Sequence, residues 1–456
     1  MRREIIGMLN RLLALSLLLL AGCGGNTYSV GGTITGLSGT VVLQNNSSNN
    51  LSVSANGAFT FAGYFTGGSA YNVTVLTQPA GQSCSVSAGS GSVNKTITTV
   101  VVTCTNTTLP RFAYVANASS NDISQYTIGT GGALTAMATA TVPAGNAPNS
   151  IAVDRSVTYA YVANSVSDDI WQYAISQSAI GTVDGALTKL SITSLPTGSA
   201  PSFIAIYLAA SGTTYAYVVN SGSDSVSQYT IGTSGVLDAT SVKTVLAGKT
   251  PRSITIHPSG NNAYVVNSGS DDISQYSIGA DGALTQLPSM SLPVGSAPTS
   301  ITIATTPSGT YYAYVANSGS TSISQYAIVG GSLQSIPTIP PTVDVGATPY
   351  SVAVDAYGKY AYVANSGNGG SVSQYKITGG ALIPMSAATV SAGTTPRSVT
   401  VDPSSQYVYT ANYGSKNVSQ YTIDTNNANT LGALTSNTTA ATVAADVNPI
   451  FIITVH

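Results

Sequence analysis

The sequence predicts an all-β protein: a small N-terminal β-sandwich followed by a seven-bladed β-propeller that the C-terminal strand closes. Three observations carry this reading. Short runs that alternate apolar and polar residues fill the chain from Tyr28 to about Asn106, and a period of two belongs to half-buried strands. A motif of the form AYVAN then recurs seven times, its Asn stepping by 47 to 56 residues through Asn117, Asn164, Asn220, Asn267, Asn317, Asn365 and Asn412. A period near 50 signals a propeller or a solenoid. The first copy lacks the Pro-led strand that precedes the other six, and the chain ends on a Pro-led strand with no copy after it.

Composition narrows the classes. With 456 residues, 43 % apolar and 7 % charged, the chain has ample material for a core and is not of the disordered type. A formal charge of -2 and the absence of any basic cluster exclude nucleic acid as a partner. Glu occurs once, at Glu4.

The N-terminus reads as a targeting segment. Arg2, Arg3 and Arg11 precede an apolar run from Leu12 to Ala21, which is too short to span a bilayer and suits the core of a signal peptide. LAGC at 20–23 resembles the lipobox of bacterial lipoproteins. That resemblance implies lipidation of Cys23, removal of residues 1–22, and a membrane-anchored protein of the bacterial cell envelope; Gly24 in place of Asp resembles outer-membrane sorting. The alternative is a secretory signal whose Cys is incidental.

A short linker over 23–27 leads into the sandwich over 28–106. About seven alternating runs, among them TVVLQN, LSVSA, AYNVTVLTQ and TTVVVTC, separated by Gly, Asn and Ser turns, suit a small antiparallel sandwich. Cys84 and Cys104, an even pair in an exported chain, are expected to form a disulfide. The segment resembles the immunoglobulin-like or prealbumin-like modules of bacterial surface proteins, which implies a spacer.

A linker over 107–112 separates it from the propeller over 113–456. Each repeat has a fixed order: a Pro-led strand such as PRSITI, a Tyr-rich strand such as AYVVN, a third such as ISQYSI, then a Gly-x-Leu turn and a fourth strand. Four short strands per repeat make a blade, and the dominance of β-branched residues excludes a helical solenoid. The orphan strand PIFIITVH at 449–456 would supply the innermost strand of the first blade, leaving no open sheet edge. Within NSGSDDISQY, the Asn is expected to bond the turn backbone, and Gln275 and Tyr276 to pack or bond between blades.

YVAN followed by SQY, the Gly-Ala-Leu-Thr turns at 132, 185, 282 and 432, and the Pro-led inner strand resemble the seven-bladed lactonase family and the YVTN-type surface propellers. The family includes 6-phosphogluconolactonase-like and muconate-cyclising members, so the resemblance implies a lactonase-like hydrolase. It also implies His two places after the Pro, with Arg, His and Glu near the channel mouth. Here those places hold Ser150, Phe203, Ser253, Ser300, Ser351, Ser398 and Phe451. His257 lies in HPSG, where other repeats have Asp154, Asp355 or Asp402, and a turn role there competes with a catalytic one. Catalytic residues therefore stay unassigned.

The residue after each Pro is different in kind: Asn149, Ser202, Arg252, Thr299, Tyr350, Arg397 and Ile450 should ring one channel entrance. Arg252 and Arg397 stand three blades apart, roughly 150° at about 51° per blade. They are the candidate binding residues for a small anionic ligand, with Tyr350 as a neighbouring wall. The competing reading pairs each Arg with a nearby turn Asp. Asp168 with Asp169, and Asp271 with Asp272, read as turn caps, because a calcium site would need more oxygen ligands. No metal site and no cofactor is expected.

Without Glu or His at the mouth, a general base near neutral pH is hard to assemble. The sequence therefore favours a monomeric, lipid-anchored binding module that presents its propeller mouth to a protein, glycan or small anion. The alternative is an exported hydrolase of small sugar or aromatic lactones.

Overall fold

The computed structural model describes residues 26–456 apart from 38, 78, 80–81, 107–110, 178–182, 192–193, 239–242, 337–338, 347, 368, 426, 428–429 and 456. The leader over 1–22, Cys23 and His456 lie outside the described residues. The chain divides into two compact units between positions 109 and 110.

The N-terminal unit has two four-stranded sheets. One orders Gly57–Thr60, Val30–Thr35, Ile97–Asn106 and Gln82–Ser87; the other orders Asn49–Val53, Val41–Asn45, Ala70–Thr77 and Ser90–Ser92. Alternation explains why both sheets share one core: Val30, Ile34, Val41, Leu43, Val100 and Val102 are fully buried in a single cluster. Among the described residues the unit holds ten strands rather than about seven, and it is not wholly antiparallel. Val30–Thr35 runs parallel to Ile97–Asn106, because the first long strand and the last lie side by side with the whole unit as their connection. Gly32 permits the close approach, since a Cβ there would sit 1.8 Å from the Val100 carbonyl oxygen. Cys84 and Cys104 face each other across adjacent antiparallel strands and are joined, with an S–S distance of 2.09 Å.

The C-terminal unit consists of seven antiparallel sheets of four or five strands, a propeller-type architecture. Sheets 2 to 7 each begin with a Pro-led strand: Pro148–Val153, Pro201–Leu208, Pro251–Ile256, Pro298–Thr305, Pro349–Val354 and Pro396–Val401. Sheet 1 takes its Pro-led strand, Pro449–Val455, from the other end of the chain, where it pairs antiparallel with Arg111–Asn117. Each Pro-led strand lies beside the next, and Pro449–Val455 lies beside both Pro396–Val401 and Pro148–Val153.

The repeated residues are the joints between sheets. The Gln of every SQY-type strand accepts the N–H of the Leu in the following sheet's Gly-x-Leu turn, from Gln125 with Leu187 to Gln420 with Leu134, at 2.5–2.9 Å. The Tyr of every YVAN-type strand donates its hydroxyl to the Gly carbonyl of that same turn, from Tyr114 with Gly185 to Tyr409 with Gly132, at 2.6–3.0 Å. The SQY tyrosines reach the other way: Tyr173 donates to Pro143 and Tyr276 to Leu246 in the preceding sheet. The last sheet is bonded to the first by the same set as every other pair. One expectation fails here. The motif Asn bonds side chains of the third strand, as Asn117 does with Asp122 and Ser124, rather than the turn backbone, because its amide is buried beneath the turn.

Among the described residues one buried seam ion pair adds to these neutral bonds, as Arg111 meets Asp402 at 3.1 Å with the carboxylate fully buried. Its ring contact is Tyr407, 5.2 Å from the guanidinium.

Gln125 also donates to the Thr139 carbonyl at 2.9 Å. Gln125→Leu should strand the buried Leu187 N–H and lower stability by about 1–3 kcal/mol, read as a shifted denaturation midpoint. An unchanged midpoint would remove the joint from the list of stabilising contacts.

The buried tyrosines set an alkaline limit. Burial pushes Tyr126, Tyr276, Tyr326, Tyr375 and Tyr421 up to about 12, and raises Tyr114, Tyr173, Tyr362 and Tyr409 further. The folded state favours the neutral phenol, so this contribution is complete below the unfolded value of about 10 and is lost as pH rises through the folded values. The melting temperature should hold level to about pH 9.5 and fall steeply above, with phenolate absorbance appearing as structure is lost. Ionisation of these buried tyrosines at pH 10 with no loss of structure would contradict this.

Candidate active site at the mouth of the inner strands

Seven Pro-led strands converge with one polarity, so the residues that follow their Pro share one end. The residue before each Pro carries a positive φ, between 48° and 61°, although none is Gly. A left-handed residue ahead of Pro is disfavoured twice over and needs external support. Support comes from a repeated bond: the carbonyl of each such residue accepts the N–H of the residue after the motif Asn, as Thr250 accepts from Ser268 and Thr395 from Tyr413, both at 3.0 Å. In several sheets a turn side chain of the preceding sheet also accepts the strained residue's N–H, as Asp168 does for Ala200 and Asp271 for Ala297, both at 2.7 Å. These aspartates are turn caps, bonded to backbone across the loop.

All seven residues after the Pro, Arg252, Tyr350 and Arg397 among them, line one cavity of about 300 Å³. Among its lining residues there is no Asp, Glu or His. The two arginines are held differently. Arg252 donates from Nε to Ser268 Oγ at 3.2 Å. Arg397 lies 4.3 Å from the Tyr350 ring centroid and 5.3 Å from that of Tyr413, and its buried Nε has no acceptor. Neither is in an ion pair among the described residues, so the competing pairing with turn aspartates is not what the geometry gives.

The position two after the Pro is structural. Ser150, Ser300, Ser351 and Ser398 accept the N–H of Ile204, Val352, Val399 and Ile452 in the next Pro-led strand at 3.2–3.3 Å. These hydroxyls tie the inner strands together, and no base stands beside them to make a nucleophile. Phe203 and Phe451 meet edge to face, 5.6 Å between centroids.

His257 is no part of the cavity. Its Nδ1 accepts the Ser259 N–H at 3.1 Å and lies 2.7 Å from Ser259 Oγ, while its ring packs 4.3 Å from Tyr311. Burial lowers its pKa, and its turn position matches that of Asp355, which accepts the N–H of Lys359 and Tyr360. Trp171 packs against the core between the first two sheets and donates Nε1 to Asp169 at 3.1 Å. The sequence reading missed Tyr413 and Ser268. Their signal lay in the position after the motif Asn, which holds Ser in five repeats, Ala118 in the first and Tyr413 in the last.

Chemically, the mouth offers two fixed positive charges, a ring of hydroxyls and aromatic walls. It can orient an oxyanion and polarise a carbonyl; it has no side chain suited to take a proton near neutral pH.

Two stretches of the chain, residues 26–297 and 255–447, match the family described as lactonase, 7-bladed beta-propeller. No curated protein matches the chain in sequence. Among solved structures it is similar to a candidate 6-phosphogluconolactonase from Bacteroides fragilis, at 19% identity and TM-score 0.62, covering 77% of this chain and 99% of that one. It is likewise similar to another candidate 6-phosphogluconolactonase, from Bacteroides uniformis, at 17% identity and TM-score 0.62, covering 76% and 100%. The periplasmic gluconolactonase of Pseudomonas aeruginosa is similar at 18% identity and TM-score 0.62, covering 76% and 99%. At such identities these likenesses speak for the fold.

Proposed function

The chain belongs to the lactonase family of seven-bladed β-propellers, and from that premise we propose that it hydrolyses a small lactone, of a sugar acid or an aromatic acid, at the mouth bearing Arg252 and Arg397. The expectation of a binding module without catalysis is thereby corrected. It rested on the missing Glu and His, whereas the family match spans both units and most of the chain. The observation that carries the reading is the pair of arginines, free of carboxylate partners, lining one cavity in a propeller of this family.

In the proposed reaction, water or hydroxide adds to the lactone carbonyl carbon and the carbonyl oxygen becomes an oxyanion. A guanidinium stabilises that charge, which is stronger in the transition state than in the ground state. The ring C–O bond then breaks, the alkoxide takes a proton from solvent, and a hydroxy acid leaves as its carboxylate. With no lining base, the nucleophile is drawn from solvent, so the rate should climb with pH instead of levelling near neutrality.

Hydrolysis of gluconolactone-type and muconolactone-type substrates, followed by acid release above the spontaneous rate, tests the reading. The double variant Arg252→Ala, Arg397→Ala should lose about a hundredfold in kcat/KM. No rate above background with the wild type, or an undiminished rate in the variant, would defeat it.

The setting is part of the proposal. We read the N-terminal unit as an immunoglobulin-like or prealbumin-like spacer and the pairing of Pro449–Val455 with Arg111–Asn117 as the closure of the ring. The protein is exported and anchored by lipid at Cys23; the LAGC motif and the paired cysteines support this. Cys23→Ser should move the protein from the membrane fraction to the soluble one. A wild type already soluble after export would rule the anchor out.

A further inference from the structure

The last sheet departs from the other six at the position after the motif Asn. Its backbone does the common work, since the Tyr413 N–H bonds the Thr395 carbonyl at 3.0 Å just as Ser268 bonds Thr250. Its side chain does something else. The Tyr413 and Tyr350 rings, from sheets 7 and 6, both lie against the Arg397 guanidinium, at 5.3 and 4.3 Å.

Ring faces attract a guanidinium without using its N–H groups. Hydrogen bonds, by contrast, hold an arginine by consuming donors. Arg252 shows the second case, because its Nε is committed to Ser268. Arg397 shows the first, for its buried Nε has no acceptor and it enters no ion pair among the described residues. An arginine fixed by rings alone keeps its planar fork for an incoming oxyanion.

We propose that Tyr413 is a positioning residue which, with Tyr350, clamps Arg397 between two aromatic rings and so makes it the principal recognition group for the carboxylate or lactone oxygen of the ligand. This rests on the lactonase reading of the same cavity and adds a division of labour to it. Arg397 binds in a forked manner, and Arg252, with Nε taken, contributes only its terminal nitrogens.

Binding of gluconate, measured by titration calorimetry, tests this apart from turnover. Tyr413→Ser installs the side chain that five other repeats carry and keeps the Thr395 bond, so it should fold with a melting temperature close to that of the wild type. It should bind gluconate at least tenfold more weakly, and in hydrolysis raise KM more than it lowers kcat. Tyr413→Phe keeps the ring and should restore affinity to within about twofold. Arg397→Lys, which has no fork for the rings to orient, should match Tyr413→Ser. Equal gluconate affinity in the wild type and Tyr413→Ser overturns the proposal, as does a wild type that binds no gluconate, or a Phe variant as weak as the Ser variant. If gluconate binding follows this pattern but no lactone is hydrolysed, the clamp stands and the lactonase reading falls.

Discussion

Everything in the C-terminal unit depends on one hydrogen bond repeated at each joint: a Gln side-chain oxygen accepting the N–H of a Leu in the neighbouring sheet. A four-stranded sheet with an apolar face cannot stand alone, and its outer turn would leave a backbone donor stranded against its neighbour. The Gln answers that donor, and a Tyr hydroxyl from the adjacent strand answers the Gly carbonyl of the same turn. The Gly is required. At Gly185, φ is +76°, and a Cβ would sit 2.3 Å from the Phe112 ring. One short turn thus supplies a donor, an acceptor and a flat surface to the preceding sheet.

The same joint explains why the mouth is free to vary. Sheet-to-sheet contact is carried by the second and third strands and the outer turn, with the serines two after the Pro adding a smaller tie between inner strands. At the position immediately after each Pro, Ser202 and Thr299 share that duty, donating to the Pro251 and Tyr350 carbonyls of the next Pro-led strand at 2.9 and 2.8 Å, but the position is not held to it in every sheet. It can be Asn, Arg, Tyr or Ile without weakening a joint, and it stands where seven strands open into one cavity. Chemistry is placed at a position the scaffold uses in some sheets and leaves free in others.

Most of the scaffold was legible in the sequence because each structural duty repeats. Gln275 and Tyr276 could be read as contacts between repeats, since a residue needed at seven joints must appear seven times, and the Pro-led end segment could be matched to the repeat lacking one. The entrance ring was legible through strand polarity. The hold on Arg397 was not, because a ring contact between Tyr350, Arg397 and Tyr413 obeys no spacing rule and depends on how two adjacent sheets converge. Nor was the parallel pairing of Val30–Thr35 with Ile97–Asn106, since alternation identifies a strand and leaves its partner open. The enzymatic assignment was misread because His and Glu are missing from the inner-strand positions, whereas the family likeness is carried by the repeat.

The joints have one more property, which lies in what they are made of. Amide to backbone N–H and phenol to carbonyl are neutral pairs, and the described ion pairs between sheets amount to Arg111 with Asp402 and two exposed lysine contacts. Mobile ions screen exposed charges and have little purchase on buried dipoles. Joints assembled this way keep their cohesion from dilute medium to brine. The exposed lysine pairs and the mouth, with its two guanidiniums, are left to feel the salt.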